Sequence, residues 1–538
     1  MTAIARSHRP LAGLLLAVLL VLGACSPAPS PTPSAVATPA STASAAAMTS
    51  ASSAAAATPS IVPTDAPTSP TPTATPAPSP TPSASPAAFV PGWSYAADGW
   101  FNAVRFTPDG SVITVEISTT VQSVTVRRLA ADGGTVAGWP WRQANGDLAD
   151  AAPGPNGSTY VIARVQQNVG EYQWTLHRLD AHGAEMAGFP APLPAFELCR
   201  VAVAADGAAV TSCAREDSTT SEWTTTVTRV RPNGHRASGW PMRVHGDATP
   251  LGFLRNGDVV LAVNDYLAGQ DRSFGRVVLV APNGRPDPAW RAVRFSDMTT
   301  VHLSAAGRVI VVSHAYQDGE CGAAISTTYR MLGSGGLPAV GWPVTIRGWG
   351  SDPVIRADGS LVVAASGGRV RAWSATGHTL AGWPLSGIDV ATGCYSGSTP
   401  VAAGGGAVVV LGAKHVTMLN ARGAVTAGWP VTLADQVART CMSCTPGPAG
   451  PLTPAVGLSV YVPAYHGAAS SDGQPRIEVL DAHGQSATSW NGLIGAAGDE
   501  LHSLQVAPGG HVWALIQRPD SNGPRDSLVL VGDESGAS

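Results

Sequence analysis

The sequence predicts an all-β fold, a single β-propeller, on three observations. A glycine stands six positions before an aromatic at Gly133/Trp139, Gly183/Phe189, Gly234/Trp240, Gly284/Trp290, Gly336/Trp342, Gly377/Trp383, Gly423/Trp429 and Gly484/Trp490, a repeat with a period of about 50 residues. A second punctuation runs in step with the first, at Asp109-Gly110, Asn156-Gly157, Asp206-Gly207, Asn256-Gly257, Ala306-Gly307, Asp358-Gly359, Gly405-Gly406, Val456-Gly457 and Gly509-Gly510. The composition is charge-poor, with 13% charged residues against 60 Gly and 45 Pro, which favours turns and strands over long surface helices.

Each glycine turn lies between apolar, β-branched runs such as Thr226-Val227-Thr228-Arg229-Val230, so each marks a hairpin. Two hairpins per period make four strands, which is one propeller blade. The C-terminal Leu528-Val529-Leu530-Val531 matches the run before a turn glycine, but no tryptophan follows it. Pro91-Gly92-Trp93 lies ahead of the first full unit and is expected to supply the outer strand of the last blade, closing the ring and protecting its edges. The turns count nine blades, eight whole and one split; eight remains possible, because propellers usually have 4 to 8.

Three segments follow in chain order. Residues 1–24 read as an export signal, with Arg6 and Arg9 before an apolar stretch, Leu11 to Leu22, that is too short to span a bilayer. Residues 25–88 are nearly all Ser, Thr, Ala and Pro, a composition that buries too little apolar surface to offset chain entropy and so predicts a disordered linker. At ~3.1 Å per residue its contour approaches roughly 190 Å. Residues 89–538 form the propeller.

Leu22-Gly23-Ala24-Cys25 resembles the lipobox of bacterial lipoproteins. That resemblance implies that Cys25 is lipidated, becomes the mature N-terminus and anchors the chain to the cell membrane on its outer side. The Gly-to-Trp repeat resembles the quinoprotein-like (PQQ-like) propellers, in which a tryptophan docks one blade on the next. It departs from them in having two extra residues between Gly and Trp and a frequent Gly-Trp-Pro ending. The resemblance implies a packing role for Trp93, Trp139, Phe189, Trp240, Trp290, Trp342, Trp383, Trp429 and Trp490, with the indole N–H free to reach a carbonyl of the neighbouring blade.

Chemical signatures are sparse. The sequence has no Gly-x-Ser-x-Gly elbow, phosphate loop, His-Glu-x-x-His, Asp-x-Asp-x-Asp-Gly calcium pattern or adjacent cysteine pair. No cofactor or metal site is expected. A net charge of −4, with Lys414 the single lysine, lacks the footprint of a nucleic-acid binder. An aspartate precedes the inner strand of several blades, namely Asp98, Asp147, Asp247, Asp297, Asp352 and Asp499. Equivalent linking loops open on one face of a propeller, so these carboxylates either ring the channel mouth as a ligand site or cap their own loops through backbone N–H groups. Arg347, Trp349 and Tyr395 fall in the same loops as candidate cationic and aromatic contacts.

Six cysteines remain after Cys25, an even number in an exported chain, which favours disulfides. Cys199 and Cys213 lie symmetrically about Asp206, so a three-residue loop, Ala205-Asp206-Gly207, sets them directly opposite each other and within bonding range. Cys321, Cys394, Cys441 and Cys444 have no decidable pairing from sequence. Two functions follow from this reading: a non-enzymatic, lipid-anchored binding or scaffold module for a protein or glycan partner, or a secreted propeller enzyme, either quinone-dependent or carbohydrate-active.

Overall fold

The computed structural model describes residues 94–97, 99–118, 121–168, 171–194, 198–266, 273–296, 299–304, 306–316, 324–390, 400–412, 414–434, 436–437, 455–456, 459–467, 473–486, 492–507, 510–518 and 525–533. Cys25, Trp93, Asp98, Asp297, Cys321, Cys394, Tyr395, Cys441, Cys444 and Trp490 lie outside them. The described residues form nine antiparallel sheets arranged as a β-propeller, eight with four strands and one with three. In chain order the blades occupy 100–144, 146–193, 198–245, 247–296, 299–347, 354–385, 401–432, 436–480 and 500–533. Blade 6 has three strands, and the bridge between Val370 and Leu385 holds the place of its fourth. In blade 8 the inner strand is in two pieces, Gln436–Val437 and Ala455–Val456, both paired with Val460–His466.

The ring closes through the chain's own ends. Ser94–Ala96 pairs antiparallel with Arg525–Asp533, with Ser94 opposite Val529 and Ala96 opposite Ser527, and so becomes the outer strand of blade 9. The Tyr95 hydroxyl then donates to the Glu116 carboxylate of blade 1 at 2.9 Å. Arg127 and Thr114 donate to the same carboxylate, each at 3.0 Å. Burial, helped by the Glu116 charge, pushes the Tyr95 hydroxyl pKa far up. Burial also raises that of Glu116, against the opposing pull of Arg127 and its hydrogen-bond donors.

Apolar packing lies between sheets rather than in one central core. Nine buried clusters, among the described residues, each join two consecutive blades, and one joins blade 9 to blade 1 through Trp513, Leu515 and Leu528 against Phe101, Val104 and Val112. Second strands are covered on both faces by neighbouring blades. They are therefore continuous apolar runs, as in Leu361–Ala365, which is buried throughout. Outer strands alternate instead, as in Met242–His245.

A latch recurs on the face that carries both kinds of glycine turn. Trp139 Nε1 donates to Ala181 O, Trp240 to Pro282 O, Trp342 to Ala375 O and Trp429 to Ala482 O, at 3.1, 2.9, 3.1 and 3.2 Å, each acceptor lying in the next blade. Trp290 departs from this and bonds within its own blade, to Val277 O at 3.0 Å. Trp383 Nε1 is buried without a hydrogen-bond acceptor among the described residues, and the Arg356 guanidinium lies 5.7 Å over its ring. Phe189, which has no N–H, packs edge-on to Tyr160. Glycine is required beside the latch: Gly188 has φ of 88°, and a β-carbon there would strike the carbonyl of Asn233 in the next blade.

Candidate functional site

Strands within a blade run antiparallel, so both glycine turns of a blade fall on one face and the blade-linking segments on the other. The linking face collects the described aspartates that the sequence singles out, Asp147, Asp247, Asp352 and Asp499. Asp247, Trp349 and Asp499 each follow directly on a glycine of positive φ, namely Gly246, Gly348 and Gly498. These glycines donate their N–H to the start of the third strand of the preceding sheet, at Trp223 O, Ile325 O and Gly473 O. Trp349 thus holds the place that aspartates hold at 247 and 499, and Asp352 lies three residues further on. Asp147 sits at a bulge between Gly146 and Leu148.

Each described aspartate of the set has a partner already. Asp147 receives Arg164 from the second strand of its own blade, Nε to Oδ1 at 2.8 Å, and that guanidinium stacks 4.5 Å over the Tyr172 ring. Asp247, 3% exposed, receives both terminal nitrogens of Arg200 from blade 3, at 2.8 and 3.2 Å. Asp499 receives Arg518 Nε and Nη2, each at 3.2 Å, and the backbone N–H of Ala496 at 2.8 Å. Asp352 accepts from Thr300 Oγ1 at 2.9 Å and lies 3.1 Å from His302 Nε2, both on blade 5.

Two of these pairs, Asp247–Arg200 and Asp352–His302, cross from one blade to the next. Loop capping by backbone N–H groups, the alternative read from sequence, occurs here at Asp499 alone among these four. Burial opposes ionisation of Asp352, but the hydrogen bonds from His302 and Thr300, with the nearby His302 and His314 charges, outweigh it and hold its pKa below the ordinary carboxylate value. Burial lowers the pKa of His314 in turn, with Asp352 pulling the other way.

Trp349 is half-buried and Arg347 exposed at the end of the outer strand Val344–Arg347. The arginine partners were invisible to a reading of spacing. Arg164 stands 17 residues after Asp147, whereas Arg200 stands 47 before Asp247, because one pair is made within a blade and the other between blades. A buried carboxylate, Asp265, was missed for the same reason; it takes Arg276 Nε at 2.9 Å on the adjacent strand. Among the described residues no group of three or more His, Cys, Asp or Glu is placed to hold a metal ion.

The predicted disulfide is present. Cys199 and Cys213 are direct partners across the first hairpin of blade 3 and are bonded. Gly207 N donates to Ala204 O and Ala204 N to Ala208 O, leaving Ala205-Asp206-Gly207 as the loop, with Gly207 at φ 79°.

No family model matches the chain, and no curated protein does. Among solved structures, it is similar to the crystal structure of the eukaryotic initiation factor, at 12% identity over 75% of this chain and 90% of that one, with a TM-score of 0.45. It is also similar to the β-propeller domain of the Trilobed protease from Pyrococcus furiosus, at 8% identity over 72% and 94%, with a TM-score of 0.35. A third is the putative TolB from Agrobacterium tumefaciens, at 14% identity over 46% and 82%, with a TM-score of 0.28.

Proposed function

We propose that the chain is a lipid-anchored, extracytoplasmic propeller of the quinoprotein-like kind that works by binding a protein or glycan partner, without catalysis. One observation carries the non-enzymatic part: the described aspartates at the linking face are bound to Arg164, Arg200, Arg518 and the His302–Thr300 pair. A general acid or base must be able to reach its substrate's proton. These carboxylates are instead spent on joining strands and blades. Leu22-Gly23-Ala24-Cys25, followed by the Pro-, Ser-, Thr- and Ala-rich segment 25–88, supports the anchor, and the tryptophan latch supports the quinoprotein-like assignment.

The test of the non-enzymatic reading is reconstitution of the purified full chain with pyrroloquinoline quinone and Ca²⁺, followed by dye-linked oxidation of alcohols and aldoses. Neither stoichiometric quinone binding nor turnover is expected. Bound quinone with dye reduction would overturn the reading in favour of a dehydrogenase.

A further inference from the structure

The turn face carries a basic notch between blades 3 and 4 that the linking-face aspartates do not touch. It is an open groove of about 890 Å³, lined by the Asp206 turn, Arg229, Arg231 and Asn233 of blade 3 and by Asn283 and Arg285 of blade 4. That volume lies in the range of sites for small organic ligands. Arg229 is committed: it is 7% exposed, pairs with Asp206 at 2.9 Å and donates to Gly257 O at 3.3 Å. Arg231 and Arg285 are exposed and have no partner among the described residues. The notch therefore holds two uncompensated guanidinium groups.

The side-chain amides beside them are also donors. Asn233 Oδ1 is occupied by the backbone N–H of His235 at 3.2 Å, and Asn283 Oδ1 by that of Arg285 at 3.1 Å, so the acceptor end of each amide is used within its own turn. Rigidity comes from the latch at this interface, where Trp240 Nε1 donates to Pro282 O at 2.9 Å and Gly239 abuts the Asn283 carbonyl. The charge is particular to this interface. The place of Arg231 is held by Asp180 and Asp481 in blades 2 and 8, and that of Arg285 by Ala184 and Gln485.

The geometry points to a binding site for a small organic anion, a sugar-sized body bearing a phosphate or carboxylate, with Arg231 and Arg285 lining it. Guanidinium groups recognise both oxyanions through paired N–H donors, and the notch has room for a sugar-sized body as well as the charge. This deepens the binding-module reading by naming a ligand class and a face. Affinity is read in purified protein and catalysis by quinone reconstitution, so either can fail alone.

Isothermal titration of the purified full chain with glucose 1-phosphate, glucuronate, glucose and inorganic phosphate decides it. At least one of the two anionic sugars binds, glucose does not, and inorganic phosphate binds more weakly than the sugar phosphate. The affinity falls several-fold between about 20 and about 200 mM NaCl, as screening predicts. The double variant Arg231→Ala/Arg285→Ala loses about tenfold or more, and Arg231→Lys/Arg285→Lys recovers part of it. Melting curves of both variants should match that of the parent, since neither arginine has a side-chain partner among the described residues; if the alanine pair melts early, the lysine pair alone carries the comparison and must bind measurably more weakly than the parent. The site is overturned if neither anionic sugar binds, if glucose binds as well as they do, if inorganic phosphate matches the sugar phosphate, or if a folded variant binds like the parent.

Discussion

The carboxylate of Asp526 accepts a 2.7 Å hydrogen bond from the backbone N–H of Phe101, a residue 425 positions earlier in the chain. Around it, Ala97 N donates to Asp526 O at 2.9 Å and Asp526 N to Gly99 O at 3.1 Å. Inside the ring, Thr225 Oγ1 and Thr327 Oγ1 do the same work, each accepting at 2.9 Å an N–H from the chain as it enters the next blade, at Ala248 and Gly350. The closing interface is thus built like the internal ones.

Removing that acceptor should open the ring at its seam. Asp526→Ala leaves a buried N–H unpaired, which costs roughly 1–3 kcal/mol, whereas Asp526→Asn keeps an acceptor oxygen and should cost less. Urea unfolding of the two variants measures the difference. Equal losses would mean that the carboxylate does not serve the seam through Phe101.

The latch separates a hydrogen bond from a steric requirement. Trp240→Phe keeps the ring but loses the bond to Pro282 O, for about 1 kcal/mol. Gly188→Ala forces a side chain onto a positive-φ residue and against the Asn233 carbonyl, for roughly 1–3 kcal/mol or more. Thermal melts should therefore rank Gly188→Ala as the worse of the two.

The disulfide should stabilise one blade rather than the ring. A bridge closing about 15 residues is worth ~3 kcal/mol in the chain-entropy model, but here the hairpin already holds Cys199 opposite Cys213, so about 1 kcal/mol is expected. Cys199→Ser/Cys213→Ser should lower the melting temperature by a few degrees with the β-sheet circular dichroism retained. Peptide mapping of non-reduced protein should recover a Cys199–Cys213 linked peptide.

Acid sensitivity should reside partly in the inner turns. Burial opposes ionisation of Asp109, yet hydrogen bonds from Thr107 and Ser111, with the Arg128 charge, lower its pKa from 3.8 to about 2. A carboxylate depressed by folding stabilises the fold above its unfolded pKa and loses that contribution as pH falls through its folded one, so the window runs from about 4 down to about 2. Asp109 is largely exposed, which holds the effect to ~1 kcal/mol at most. Asp109→Asn should flatten the fall of melting temperature across that window. Glu116 works in the opposite sense: burial raises its pKa, so its contribution is largest at low pH and shrinks as pH rises through the folded value.

Architecture was legible because it is written in local geometry. Gly133, Gly183 and their equivalents have positive φ, and the tryptophans six residues on supply the interblade anchors, so turn chemistry and period together define the blades. The Cys199–Cys213 register followed from the same turn logic. Partners of the linking-face carboxylates were not legible, since whether an arginine meets its aspartate within or across blades depends on how far each side chain reaches over the packed sheets. Asp352 and Trp349 illustrate the limit: a shared loop suggested a shared role, but Trp349 holds the post-glycine position and Asp352 fastens to the preceding blade. The two-piece inner strand of blade 8 was likewise hidden, because a period set by turn glycines does not show which residues pair with Val460–His466.

Anchoring of the propeller at a membrane through a lipidated Cys25 is the central proposal, and mass spectrometry of the mature N-terminus from a native expression host tests it most directly. The predicted result is an N-terminal peptide that begins at Cys25, carries a diacylglyceryl thioether and is absent from the Cys25→Ala variant. A mature chain that begins elsewhere, or one in which Cys25 is unmodified, would contradict it.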